Sequence, residues 1–380
     1  MTLSRGLEAQ GGLESVSRPE RVASLTGIRA VAALLVMLTH AAYTTGKYPQ
    51  GYVGLVYSRM EIGVPIFFVL SGFLLFGPWV KAAASDKPGP SVRRYAWRRV
   101  RRIMPAYVVT VLAAYLVYHF RTAGPNPGHT WEGLFRNLTL TQIYTDNYLY
   151  SFLHQGLTQM WSLAVEVAFY AVLPLLAYLL LVVLCRRRWR PGLLLTGLGG
   201  LALISPAWLV LVHTTNFLPD GAKLWLPTYL AWFVGGMVLA ALQPLGVRAY
   251  GLACVPLAVI CYLIASTPIA GEPTTSPTEL REALAKTAFY AVIATLAVAP
   301  LALGDRGLYS RMLASRPMVF LGEISYEIFL IHLITMELVM VEIVRYPIYT
   351  GSVFWLFVIT FVVTVPLAWL LHRFTRVRGG

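Results

Sequence analysis

Apolar stretches long enough to cross a bilayer recur along this chain from about residue 23 to about residue 372, separated by short polar or basic segments. A helix needs about 20 mostly apolar residues to span the hydrocarbon layer. On that measure the pattern predicts about ten helices, near 23–45, 62–80, 103–120, 161–184, 192–213, 223–243, 250–268, 283–303, 318–344 and 351–372. The expected fold class is an all-α, polytopic membrane bundle occupying 23–373, with a polar tail over 1–22 and a basic tail over 374–380, both on the cytoplasmic side. No segment is long and polar enough for a second, water-soluble domain. The first twenty residues lack an apolar signal core, so no cleaved leader is expected.

Composition agrees with that pattern: 57% of residues are apolar, 13% are charged and the mean hydropathy is +0.64. A net charge of +14 invites a nucleic-acid partner, but the distribution of the charge rejects one. Counted by alternate loops, about 22 Lys and Arg fall on the side of both termini and about 8 on the other. That is the positive-inside bias of a membrane protein whose ends face the cytoplasm. The densest run is Arg93, Arg94, Arg98, Arg99, Arg101 and Arg102, ahead of the third helix, followed by Arg186, Arg187, Arg188 and Arg190 after the fourth. Topology and anionic lipid explain most of these arginines. The run before Ile103 is also suited to gripping phosphates, because guanidinium forks match phosphate geometry. Cys185, Cys254 and Cys261 have no metal-ligand spacing, and Asn137-Leu138-Thr139 fits a glycosylation pattern only by its three letters.

Against the apolar background a few groups stand out. Arg29 and His40 lie in the first helix, eleven residues apart, which is about three turns and 16 Å along one face. Ionisable groups are costly in hydrocarbon and are usually kept for work on a substrate or ion. Counting inward from the predicted helix ends places His40, Glu166 of the fourth helix and His332 of the ninth at one depth, in the outer third of the bilayer. Glu323 and Glu327 lie lower on the ninth helix, with Ser325 and Tyr326 between them. A carboxylate at an imidazole would fix its tautomer and favour proton uptake, as a general base requires. Each group also has a packing explanation: a hydrogen bond between helices for the histidines, a wet interfacial position beside Trp161 for Glu166.

There is no GxSxG elbow, no HExxH zinc motif and no GxxxxGK[ST] loop. What remains is a membrane enzyme using His as a base on a hydroxyl, or a proton-coupled transporter of a small organic solute using His40, Glu166 and His332 as a relay. Internal repeats, a common mark of transporters, are not apparent.

Five blocks in order decide between these by resemblance: LTGIRAVAALLVMLTHA with Arg29 and His40, IFFVLSGFLL from Ile66, RRVRRIMPAY from Arg98, QMWSLAVEVAFYAVLP from Gln159, and GEISYEIFLIHL from Gly322. From about Ser24 to about His372 the chain resembles the acyltransferase-3 family of integral membrane O-acyltransferases. It departs from the family pattern at Pro65, where many members carry an acidic residue before the FF pair, and at Phe329, in place of a frequent aromatic hydroxyl. The resemblance implies a multi-pass protein of the bacterial cytoplasmic membrane, with no permanently bound cofactor and no metal. It implies transfer of an acyl group, commonly acetyl, from acyl-CoA to a hydroxyl of a sugar, lipid or polyketide-derived acceptor. It also implies a catalytic His40, with Arg29 and Glu166 in the same polar pocket.

Together these readings give an expected mechanism. Acyl-CoA docks its phosphates on Arg98, Arg99, Arg101 and Arg102 and runs past Arg29 towards His40. His40, held by Glu166, takes the proton of the acceptor hydroxyl. Tyr326, Trp161 or His332 donates to the oxyanion, since Arg29 is about three turns away.

Overall fold

The computed structural model describes residues 18–121, 125–274, 277–347 and 349–376. Most of the expected polar tail, up to residue 17, lies outside them, as do 377–380 of the basic tail. Each predicted helix has a counterpart, and these are named in order: α1 (Ala23–Thr44), α2 (Gly51–Ala84), α3 (Val92–Phe120), α4 (Met160–Leu184), α5 (Pro191–Thr214), α6 (Asp220–Leu245), α7 (Gly251–Ala265), α8 (Leu280–Ala302), α9 (Arg316–Glu323 with Ser325–Ile343) and α10 (Val353–Thr375). Among the described residues eight of these are long and apolar enough to cross a membrane, and the two parts of α9, bent by 71°, make a ninth if taken as one span. The protein is a multi-span helical membrane protein with no strand among the described residues.

The seventh expected span, 250–268, falls short because α7 has only 15 residues. Arg59, fully buried, ends it from inside the bundle. Its Nε donates to the Ala265 carbonyl at 3.0 Å, and its Nη2 to the Ala270 carbonyl at 3.0 Å and to the Gly271 carbonyl. Carbonyls of the last helical turn have no partner within the helix, so an arginine fork that satisfies one of them, together with the carbonyls of the following turn, folds the chain after residue 265 back over itself.

Two apolar clusters hold the bundle. The larger draws on every helix from α1 to α9, and the smaller joins α1, α9 and α10. Where α2 crosses α6, Gly72 faces the Phe233 backbone and Gly236 faces the Val69 backbone, so no side chain fits between the helices. Small residues of this kind let membrane helices approach closely and gain dispersion contacts in lipid, where burial alone supplies little drive. Phe233 then stacks on Phe68 at 4.3 Å and on Phe169 at 4.0 Å. The break in α9 sits at Ile324, where the Ser325 hydroxyl donates to the Gly322 carbonyl at 2.8 Å.

Between α3 and α4 the chain forms a short helix, Trp131–Leu138, capped by the Thr130 hydroxyl. Asn137 in it is buried and donates its amide to the Gly133 carbonyl at 2.9 Å. Its glycosylation pattern therefore marks a packed residue.

Candidate functional site

The bundle gathers its polar interior at two levels. At the level of the chain ends, Arg29 of α1 and Arg99 of α3 each keep a buried Nε with no hydrogen-bond partner among the described residues. Arg29 lies within electrostatic reach of Arg102 and Arg99 and of Glu166 on α4. Glu166 accepts the Tyr170 hydroxyl at 2.6 Å and the Ser71 hydroxyl of α2. The Tyr95 hydroxyl reaches the Tyr170 carbonyl at 3.1 Å, tying α3 to α4 at this level. Arg98 and Arg102 are exposed and Arg101 lies against the exposed Trp97 ring at 6.0 Å, so of the expected run it is Arg99 that turns inward beside Arg29, with Arg102 in electrostatic reach from the surface.

At the other level, three turns along α1, His40 meets His332 of α9 with ring centroids 5.1 Å apart. His40 Nδ1 lies 2.7 Å from the Val36 carbonyl and 3.3 Å from His332 Nε2. His332 Nδ1 lies 2.8 Å from the Phe329 carbonyl and 3.2 Å from that of Ile328. A carbonyl oxygen can only accept, so in both rings the proton sits on Nδ1. The bond between the rings then runs from His40 Nδ1 to His332 Nε2. His40 Nε2 keeps its lone pair and bonds no group among the described residues, on a ring that is only partly buried. His332 is fully buried.

The structure does not bring Glu166 to His40. The depth count assumed that α4 starts at the membrane surface, whereas Gln159, just before it, donates to the carbonyls of Phe329 and Leu330 well inside α9 at 3.3 and 2.9 Å. Glu166, two turns further on, therefore falls to the level of Arg29. Tyr326 lies at that lower level too: its hydroxyl donates to the Ile103 carbonyl at 3.0 Å, which removes it as a donor beside His40. His332 Nε2 accepts, so it is no oxyanion donor either. Trp161 lies partly buried against Tyr229 at 5.1 Å.

Sequence reasoning passed over Glu61 of α2 and Lys286 of α8. They form an ion pair at 2.5 Å in which Glu61 also accepts the Tyr290 hydroxyl at 2.9 Å. Glu61, not Glu166, is the carboxylate whose field reaches His40. The signal was present, since a lysine within an apolar window of spanning length is itself costly.

A transmembrane helical bundle with an open imidazole lone pair at one level and unpaired arginines at the other is built for polar chemistry inside the membrane. The family model of the acyltransferase domain, acyltransferase-3, matches residues 22–373, and the chain belongs to that family. The chain is similar to the acyltransferase MdmB of Streptomyces mycarofaciens, 31% identical over 250 residues, covering 60% of this chain and 59% of that protein. It is 26% identical over 353 residues to the peptidoglycan O-acetyltransferase OatA of Listeria monocytogenes, covering 85% of this chain and 51% of that protein. A putative O-acetyltransferase of Staphylococcus aureus is 25% identical over 240 residues, 61% of this chain and 37% of its own length. The chain thus spans little more than half the length of the first two relatives. No solved structure matches it.

Proposed function

We propose that this protein is a membrane O-acyltransferase that moves an acyl group, acetyl in the simplest case, from acyl-CoA to a hydroxyl of a carbohydrate, glycolipid or macrolide-like acceptor. The observation that carries the reading is His40, with its proton held on Nδ1 by the Val36 carbonyl and its Nε2 left free. Family membership and the O-acetyltransferase relatives support it.

In this mechanism the acceptor hydroxyl gives its proton to His40 Nε2 as its oxygen attacks the thioester carbonyl carbon. The carbon–sulfur bond breaks, and the departing thiolate takes the proton back from Nε2, so the ring ends as it began. While His40 carries the extra proton, its Nδ1–H bonds to the Val36 carbonyl and to His332 Nε2 become charge-assisted, which lowers the energy of that state. His332 is therefore a positioning residue. The donor's phosphates meet the unpaired guanidinium groups of Arg29 and Arg99 at the end of the bundle that bears the termini, which the positive-inside bias puts in the cytoplasm. The pantetheine arm then spans the three turns between Arg29 and His40.

The test is transfer of label from acetyl-CoA to a panel of hydroxylated acceptors by the purified protein in proteoliposomes. Labelled product that disappears in a folded His40→Ala variant supports acyl transfer. Acceptor movement across the vesicle without acylation supports a proton-coupled carrier instead.

A further inference from the structure

The donor's arm has three turns of α1 to cover, and two phenylalanines meet in the middle of that stretch. On α2 every fourth residue returns to nearly the same face. Gly63 packs on the Ala32 carbonyl and on Val36, whose own carbonyl holds His40, and the Ser71 hydroxyl donates to Glu166 at the arginine level. Phe67 lies one turn, about 6 Å, from each, so it stands halfway between the two levels on the side of α2 that faces the interior. On α9 the same holds at a spacing of three. Tyr326 belongs to the arginine level and His332 to the histidine level, and Phe329 stands between them, its ring centroid 6.0 Å from that of His332. Phe67 and Phe329 meet edge to face with centroids 6.3 Å apart.

The two rings are held differently. Phe329 is 7% exposed, and its carbonyl accepts from Gln159 Nε2 at 3.3 Å and from His332 Nδ1 at 2.8 Å, which ties it to α4 and to the histidine pair. Phe67 packs against both apolar clusters, at the seam between them, and stays only partly buried. To either side of it His40, Ser71, Glu166, Tyr170 and Arg29 are partly accessible as well, although all of them lie within the bundle. Accessible side chains thus recur from one level to the other, and the apolar step among them is the pair Phe67 and Phe329. A constriction with apolar walls empties of water when nothing fills it, and so blocks polar solutes without a solid plug. A pantetheine arm, a slender chain of methylenes and amides, is the kind of ligand that parts two such rings.

We propose that Phe67 and Phe329 form a hydrophobic gate across the donor's path, with Phe329 as the fixed leaf and Phe67 as the leaf that swings aside for the arm and closes behind it. Shut, the gate keeps the polar interior from becoming a leak between the arginine level and the histidine level. What passes the gate rests on the acyl-transfer reading; the barrier itself does not.

The experiment follows an introduced thiol. In the full chain carrying Cys185→Ser, Cys254→Ser and Cys261→Ser, the change His40→Cys puts a thiol beyond the gate. The membrane-impermeant anion sulfonatoethyl methanethiosulfonate is applied from the side of the termini, with inside-out vesicles and no acyl donor. The expected result is slow labelling with Phe67 in place and labelling about tenfold faster in Phe67→Ala, because truncating the ring leaves a gap that water enters. Phe67→Leu, a milder truncation, should be about threefold faster and keeps the test open if the alanine variant does not fold. Applied from the other side, the reagent should react at one rate in all of them. Three results would overturn the gate: fast labelling with Phe67 in place, a rate unmoved by truncation, or an equal rise from both sides, as general loosening would give. Acyl transfer is measured apart from this, in protein that keeps His40. Faster labelling on truncation with no product from any acceptor leaves the gate and removes the chemistry, whereas product with labelling unmoved removes the gate and leaves the chemistry.

Discussion

Two pairs of histidines in this protein have nearly the same nitrogen separation and quite different surroundings. His40 and His332 meet inside the bundle at 3.3 Å; His129 and His154 meet in the segment between α3 and α4 at 3.2 Å. In the first pair backbone carbonyls of α1 and α9 pin a proton on each Nδ1, and the outer ring keeps an accessible lone pair. In the second, His154 is buried among rings, 4.4 Å from Tyr115 and 5.1 Å from Tyr118, and its Nδ1 has no partner. Burial, and then the neighbouring His129, push the His154 pKa down to about 3, and burial followed by His119 pushes that of His129 down as well. Proximity of two imidazoles is therefore not the functional feature. A base needs one nitrogen fixed as a donor and the other left open, and the loop pair lacks the fixed donor and is held neutral.

The largest effect that would break this contrast is at His40. His40→Ala should lower kcat/KM about a thousandfold, the usual scale of a general base, with the protein still folded. Replacing His154 by Phe should leave that rate nearly unchanged, and equal losses from the two would erase the distinction. Next comes His332→Phe, which keeps the ring and deletes both nitrogens. A charge-assisted hydrogen bond is worth roughly 1.5–3 kcal/mol, so kcat should fall about tenfold to a hundredfold with little change in acceptor KM. A rise in KM alone would make His332 a packing residue.

At the other level of the bundle, Arg29→Gln and Arg99→Gln should each raise the KM for acetyl-CoA about tenfold, because each guanidinium is left unpaired by the protein and a lost charge-assisted bond to phosphate is of that order. Arg98→Gln, at an exposed position, is the control and should change little. Donor KM values that respond equally at all three would point to general surface charge.

The smallest effect concerns stability. Folded His154 binds a proton only near pH 3, whereas in the unfolded chain it does so near its ordinary value of 6.5. Its contribution is thus fully present above pH 6.5 and is lost as the pH falls towards 3, at up to about 1.4 kcal/mol per unit. Limited proteolysis between α3 and α4 should accelerate over that window, and His154→Phe, which keeps the ring stack, should flatten the dependence.

Much of this was legible in the apolar pattern. All ten windows correspond to helices, and the eleven-residue interval from Arg29 to His40 does separate two polar levels on one helix. The run before Ile103 was legible as well, but not which of its arginines turn inward, because that depends on how α3 meets α1 and α4. Depth was the weak point. Helix ends read from hydropathy say where apolar residues begin, not how far into the bundle the preceding loop dips, and Gln159 carries the start of α4 far inside. Glu166 moved to the arginine level for that reason. Arg59 is the converse case: next to an apolar window it reads as an interfacial charge, yet its fork is fully committed to carbonyls more than two hundred residues away, a pairing no local pattern reveals.

The central claim is the protonation of one ring, and magic-angle nitrogen-15 NMR of the histidine-labelled protein in lipid reads it directly, with His40 assigned by subtracting the spectrum of His40→Asn. A bare Nε2 together with a protonated Nδ1 at neutral pH is the expected result. A proton on Nε2 in the resting protein would leave His40 no lone pair to offer the hydroxyl and would contradict its role as the base.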